Sequence, residues 1–468
     1  MSLKTGSTSQ PSISRQSIQL LEAAKKCGAI HADALAVCDT GDSISIRNGM
    51  VESVEREDAQ GLGLRAFVQT PKGLAFATAS TSDVSEAGLN SLAEQVIAMA
   101  RISEPDPDAV PPVGANHPSS AELQAWQTKH DHHDSGWNLN QAKAAAMQCE
   151  EIARNYSEQI SNSEGADASF GNSRVAYASS DGFASEYAKA SASLSVSVIA
   201  GSGEGMQRDY AWHSAFNAAD LRSPQIIAEE AAQRATGRLN PGSLPDSMKH
   251  GENSVIFEPR IATSLLGHLI GAINGRSVLQ QRSFLADSLN RSIFPDFVSI
   301  EENPNHPDGL GNRLFDGEGT RCSPNQIIEA GRLNTFLADR YVAKRLGQPE
   351  TGSASRGLTG DIGIGSSNLI WQPGTRTQAE MISDIGNGLL ITELIGFGVN
   401  GVTGDYSRGA GGFLIENGKI SHPVQGITIA GNLKDMFANI ELIGSDLTWF
   451  GSRAVPSIAV SGMTIAGE

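Results

Sequence analysis

The stretch "GLLITELIGFGVNGVTGDYSRGAGGFLIENGKI", residues 388–420, decides the fold class. Its centre, "GFGVNG" at 396–401, matches the G-x-G-x-x-G fingerprint and follows a strand-like run. A dinucleotide fold requires a helix to start at those glycines, so that pyrophosphate meets the helix N-terminus. The chain continues instead as "VTGDYSRGAGGFLIE", with far too many glycines for a helix. Glycine this dense inside a strand pattern marks bulges or the close approach of another backbone. The Rossmann reading is rejected.

Outward from this stretch, the pattern is one of hairpins. "IIEAGRL" at 327–333 and "LIENGKI" at 414–420 each read as strand, tight turn, strand, and each precedes a helix-like segment, "ADRYVAKRLG" and "NLKDMFANI". In the N-terminal half, helical periodicity over 16–28 is followed by short strand candidates "DALAV", "SISIR", "MVESVE", "GLRAFVQ" and "LAFATAS", then by a helix over 86–101. A helix over 140–157, strands "SRVAYASS", "ASLSVSVIA" and "RDYAWHSAF", and a helix over 224–236 repeat that order. The expected architecture is α+β: antiparallel-sheet units flanked by helices, the N-terminal unit duplicated, plus a glycine-rich, β-dominated C-terminal domain. The expected boundaries are a disordered N-terminus 1–15, units 16–102 and 138–237, a Pro-rich linker 103–137, a second linker 238–253, and a C-terminal domain 254–468.

Composition narrows the partners. The 35 basic and 52 acidic residues leave a net charge of −17, a surface that repels nucleic-acid phosphates and anionic lipid. Cys27, Cys38, Cys149 and Cys322 show no CxxC spacing and read as thiols in a reducing compartment. With no signal-peptide h-region and no membrane-length apolar run, a cytoplasmic protein is expected.

Three constellations carry possible chemistry. In "TSLLGHLIGAINGRSV", 263–278, His268 sits on an apolar helix beside Gly267, Gly271 and Gly275, spaced four apart. A zinc-binding helix needs a second ligand one turn away and a glutamate beside the first, but Ser264 and Ala272 stand four residues from His268. A packing histidine is expected, with a strand or another backbone pressed on the glycine face. "HDHHD" at 130–134 reads as a solvated loop with incidental metal affinity. Asp405, Tyr406, Ser407 and Arg408 lie between glycines, where they either line a groove or form a loop with Asp405 paired to Arg408. There is no GxSxG elbow and no P-loop.

"GFGVNGVTGDYSRGAGGFLIENGKISHPVQGITIAGNLKDM", from 396, closely resembles the C-terminal motif of the PmbA (TldE) branch of the TldD/PmbA family. "GLGNRLFDGEGT" at 309–320 and "LADRYVAKRLGQPETGSASR" at 337–356 resemble two further family blocks, and 61–80 does so more loosely. The resemblance implies one subunit of a heterodimeric metalloprotease acting on unfolded or flexible peptides. In that family the TldD-type subunit carries HExxxHxE and a C-terminal cysteine. Laid against that motif, this chain has Leu266 and Gly267 at the first His-Glu pair and Gly271 at the second histidine, and no cysteine follows Cys322.

The implied role is therefore the subunit without metal, with zinc or another divalent ion held by a TldD-like partner. The segment 396–412 is then expected to line the peptide or the subunit interface through Asn400, Thr403, Asp405, Tyr406, Ser407 and Arg408. Two alternatives remain open at this stage. One is a non-enzymatic homodimeric binding protein or gyrase modulator. The other is an autonomous hydrolase using Asp405 or Glu416 with a metal held elsewhere.

Overall fold

The structure, a computed structural model, describes residues 12–130, 134–249, 252–358 and 361–467. The N-terminal half is built on a six-stranded antiparallel sheet ordered Gly73–Thr81, Met50–Thr70, His31–Arg47, Ile160–Ser179, Ala184–Ala200, Gln207–Ala215. Its strands are longer than the sequence pattern suggests. "DALAV" and "SISIR" are one strand, as are "MVESVE" and "GLRAFVQ", because continuous pairing from Asp33–Ser179 to Ile46–Ala166 carries the chain through Gly41 and Asp42 without a turn.

That central pairing joins the two N-terminal units into one sheet. Side chains alternate across it. Ala32, Ala34, Ala36, Ile44 and Ile46 face two pairs of helices: Ile13–Cys27 with Glu86–Ile102 over one half, and Leu139–Asn155 with Pro224–Gly237 over the other. The odd-numbered face meets the C-terminal domain, where Leu35 and Tyr177 pack with Phe315. Gly63 must be bare there, since a Cβ on it would stand 2.5 Å from the Leu358 carbonyl oxygen.

The segment expected as linker is not bare chain throughout. Residues Ser120–His130 form a helix, and the stretch before it is fastened to the C-terminal domain. Arg340 donates to the carbonyls of Pro111 (2.8 Å) and Val113 (2.9 Å), and the His117 ring bonds the Gly319 carbonyl at 2.8 Å. His130, expected in a solvated loop, is buried in that helix against Trp126, within hydrogen-bond reach of Asn305 and 3.4 Å from the Asn312 amide. The remaining histidines of that cluster, His132 and His133, lie outside the described residues.

Between the halves lies a buried ionic network. Asp33 accepts from Arg65 (2.5 Å) and Arg356 (2.5 Å), and from the Tyr177 hydroxyl (3.3 Å), while Arg65 also reaches Glu318 at 3.2 Å. Burial alone would raise the Asp33 carboxyl, but the Arg356 and Arg65 guanidiniums overcome it and hold the group below the usual carboxylate range. At nearby Asp316, burial and the Glu318 charge outweigh the backbone hydrogen bonds and the Arg313 charge, and push the carboxyl up to about 7.

The C-terminal domain contains two further six-stranded sheets. In one, Lys419–Asn432 pairs with Asp405–Glu416, and Gly388–Ile395 lies between Asp405–Glu416 and Asn253–Phe257. Contacts of Thr428–Ala430 with Thr464–Ala466 then bring this sheet back on itself. Its inner residues Val255, Phe257, Leu389, Ile391, Leu414 and Ile429 form the main core with the apolar stripe of helix Pro259–Ala272. The fold is mixed α+β with flanking helices and a β-rich C-terminal region, as the sequence pattern predicts. Among the described residues, no helix is long and apolar enough to cross a membrane.

Candidate functional site

Helix Pro259–Ala272 starts with proline at its first turn, where the missing N–H is no loss. Its buried residues Ala262, Leu265, Leu266, Leu269 and Ala272 recur at helical spacing and anchor it to the core. Gly267, His268 and Gly271 face instead an open cleft of about 400 Å³.

The three glycines behave differently. A Cβ at Gly275 would stand 2.7 Å from the Leu337 carbonyl and 2.5 Å from Val342, so a backbone does press on that position. At Gly267 the neighbour is the Arg453 guanidinium at 3.2 Å, and at Gly271 nothing lies within 4 Å. The expected backbone contact is thus confined to Gly275, and the other two glycines form the floor of the cleft.

His268 is half-buried, and its Nε2 is buried without a hydrogen-bond partner. Burial and the Arg408 charge hold the imidazole below its usual range, so it is neutral at pH 7. Behind it stands Tyr406, edge-on with ring centroids 6.0 Å apart, only 2% exposed, its hydroxyl also lacking a partner. Burial pushes that phenol well above its usual value. The histidine therefore packs as expected on one side, yet it also lines a cleft.

The segment 396–404 forms a loop rather than a helix, and its polar residues largely satisfy one another. Asn400 accepts from the Val402 and Thr403 amides at 2.9 and 3.3 Å. Thr403 donates to Asp405 at 2.6 Å, and Asn432 reaches the other Asp405 oxygen at 3.2 Å. Asp405 and Arg408 are not paired. Arg408 turns to the cleft beside His268, with its Nε–H toward the Ile395 carbonyl at 3.4 Å. Ser407 is exposed, and its N–H donates to the Gly398 carbonyl at 2.7 Å; a Cβ on Gly398 would lie 2.0 Å from the Ser407 carbonyl oxygen.

Of the six expected residues, the structure thus brings Tyr406 and Arg408 to His268, and gathers Asn400, Thr403 and Asp405 into one turn. Asp405 and Glu416 stand at opposite ends of strand Asp405–Glu416. At about 3.3 Å per residue that is over 30 Å, so they cannot act as a pair. Sequence reading missed Phe397, which is 98% exposed in this loop, with exposed Ile395 and Val402 nearby in the chain. Their only signal was an apolar residue set among glycines that no core position claimed.

The donor set beside His268 does not fit a divalent cation. The cleft offers one imidazole and no carboxylate or thiolate, while Arg408 and Arg282 also line it. Among the described residues, no group of three or more His, Cys, Asp or Glu side chains is placed to hold a metal ion.

Comparison with known proteins agrees with this architecture along the chain. Residues 32–100, 133–239 and 250–467 match, in order, domain 1, the central domain and the C-terminal domain of the PmbA/TldA metallopeptidases. The chain belongs to this family. Within it, the relatives point to the PmbA branch. Metalloprotease PmbA of Escherichia coli O157:H7 is 36% identical over 92% of this chain and 90% of its own. A PmbA homologue of Haemophilus influenzae is 34% identical over 97% of this chain and 96% of its own. A crystal structure from Bacteroides thetaiotaomicron, of a protein proposed to modulate DNA gyrase, superposes with a TM-score of 0.86 at 26% identity, covering 98% of this chain and all (100%) of that one. TldE from Thermococcus kodakarensis shares the fold, with a TM-score of 0.80 at 20% identity over 97% of this chain and 100% of its own.

Proposed function

We propose that this chain is the subunit without metal in a two-subunit peptidase that cleaves unfolded or flexible peptides. Zinc or another divalent ion, and the activation of water, would come from a TldD-like partner. The observation that carries this reading is helix Pro259–Ala272: laid against the metal motif it has Leu266, buried in the core, and Gly267 at the first His-Glu pair and Gly271 at the second histidine, while its cleft face offers a lone imidazole opposite a guanidinium. An extended peptide suits this role, because strand-like backbone pairing accepts many sequences. All four cysteines are free thiols, which suits a cytoplasmic setting.

The segment 396–412 would serve the subunit interface or the peptide path. Ile395, Phe397 and Val402, exposed and close together in the chain, are the kind of apolar surface that would suit contact with another chain. The same patch would suit a homodimer, so the assembly test includes the chain alone. Phe397→Asp should abolish co-elution with a TldD-like subunit in size-exclusion chromatography and should abolish peptide cleavage by the mixture. If Phe397→Asp and Arg408→Gln both assemble and cleave an unstructured peptide at the wild-type rate, the segment has no such role.

A further inference from the structure

We propose that the cleft over helix Pro259–Ala272 binds the C-terminal carboxylate of a peptide whose last side chain is apolar. The inference starts from charge. In a chain of net charge −17, this cleft is lined by Arg408 and Arg282 and by no acidic residue. Neither guanidinium has a carboxylate within ion-pair distance among the described residues. By contrast, another cleft rich in arginine holds Arg65, Arg276 and Arg345 together with Asp106, Glu318, Asp339 and Asp361, and in a further one Arg222, Arg234 and Arg260 are joined by Glu230. Cations left without counter-ions at a concave surface focus an attractive field on an incoming anion.

The geometry narrows the anion. A guanidinium presents parallel N–H donors that match a planar carboxylate. Arg408 spends its Nε–H on the Ile395 carbonyl, and among the described residues no acceptor takes its two terminal nitrogens. His268 lies beside it, with the buried Nε2 unpartnered. The remaining walls are mostly apolar, Phe284, Phe397, Val399 and Leu433, with Ser277 the one further polar side chain in the lining. A small inorganic anion would leave those walls wet, whereas a C-terminal residue with an apolar side chain covers them and places its carboxylate at the arginines. The bare floor at Gly271, open for at least 4 Å, leaves room for that side chain.

This inference deepens the proposed role of 396–412 and rests on it only for the peptide being a substrate. Its test needs no partner subunit and no cleavage, so the two readings fail separately. Binding of acetyl-Ala-Phe with a free carboxylate, and of the same peptide as its amide, would be measured by calorimetry on the isolated full chain. The acid should bind about tenfold to a hundredfold tighter than the amide, the size of a lost hydrogen-bonded charge contact. Arg408→Gln should remove that preference.

Gly271→Leu, which points into the cleft from a position with nothing within 4 Å of its Cβ, should abolish binding of both peptides while leaving the melting temperature near wild type. Equal binding of acid and amide would overturn the proposal, as would no binding of the acid to the wild-type chain at about 1 mM. Displacement of the acid by equimolar inorganic phosphate would also overturn it, since the site would then be a general anion hole.

Discussion

Two of the molecule's concentrations of arginine are built in opposite ways. At the junction of the halves, Arg65 and Arg356 are buried and matched by Asp33 and Glu318 at hydrogen-bond distances. At the cleft over helix Pro259–Ala272, Arg408 and Arg282 have no acid facing them. A buried charge must be neutralised if the fold is to stand. A charge at an open cleft is sustained by water and stays available to a ligand. The difference separates residues that hold the protein together from residues that give it something to do.

The largest effect expected from this contrast is at Asp33. Asp33→Ala leaves Arg65 and Arg356 buried with the shared acid gone, and should cost about 3–5 kcal/mol in urea unfolding. A loss below about 1 kcal/mol would show that the network is solvated and the contrast false. The glycines of the helix segment give a second, graded test. Gly275→Ala drives a methyl into the Leu337 carbonyl and should cost about 1–3 kcal/mol. Gly271→Ala meets open space and should stabilise by up to about 1 kcal/mol through helix propensity. Equal effects at the two positions would remove the claim that one glycine is structural and the other lines a cleft.

Arg408→Gln should leave unfolding stability within about 0.5 kcal/mol of wild type, since no ion pair is lost. The smallest effect concerns titration of His268. Its folded imidazole ionises below the ordinary value because of burial and Arg408, so the native state binds fewer protons than the unfolded one across that interval. Its contribution to stability is therefore full above about pH 6.5 and is lost as pH falls towards the folded value. Removing the Arg408 charge should move the His268 titration upward in an NMR pH series. An unchanged titration would mean that the two side chains do not sense each other.

Much of the fold was legible because its signals are local. The stripe Leu265, Leu266, Leu269 specifies a helix face, and Asn417-Gly418 specifies a hairpin turn, without reference to anything distant. The merged strands were not legible. Whether Gly41-Asp42 turns or extends is decided by pairing with Phe170 and Gly171, and no local rule contains that partner. The ionic network was invisible for the same reason, since Asp33 and Arg356 are brought together across the whole chain.

At the site, Arg408 stood out between glycines, but its orientation did not. The sequence allowed a pair with Asp405, whereas the turn built by Asn400 and Thr403 claims that carboxylate and leaves the guanidinium for the cleft. Phe397 carried no periodic signal at all, because an exposed loop residue takes no part in the core.

The central claim, that this chain supplies no catalytic metal and acts through a metal-bearing subunit, is tested most directly by three samples assayed side by side. These are the chain alone, its TldD-like partner alone, and the two mixed, each scored for cleavage of an unstructured peptide and for bound metal. The account predicts that the chain alone is inert and substoichiometric in metal, and that the mixture cleaves. Stoichiometric metal on the isolated chain, with cleavage unaided, would contradict it.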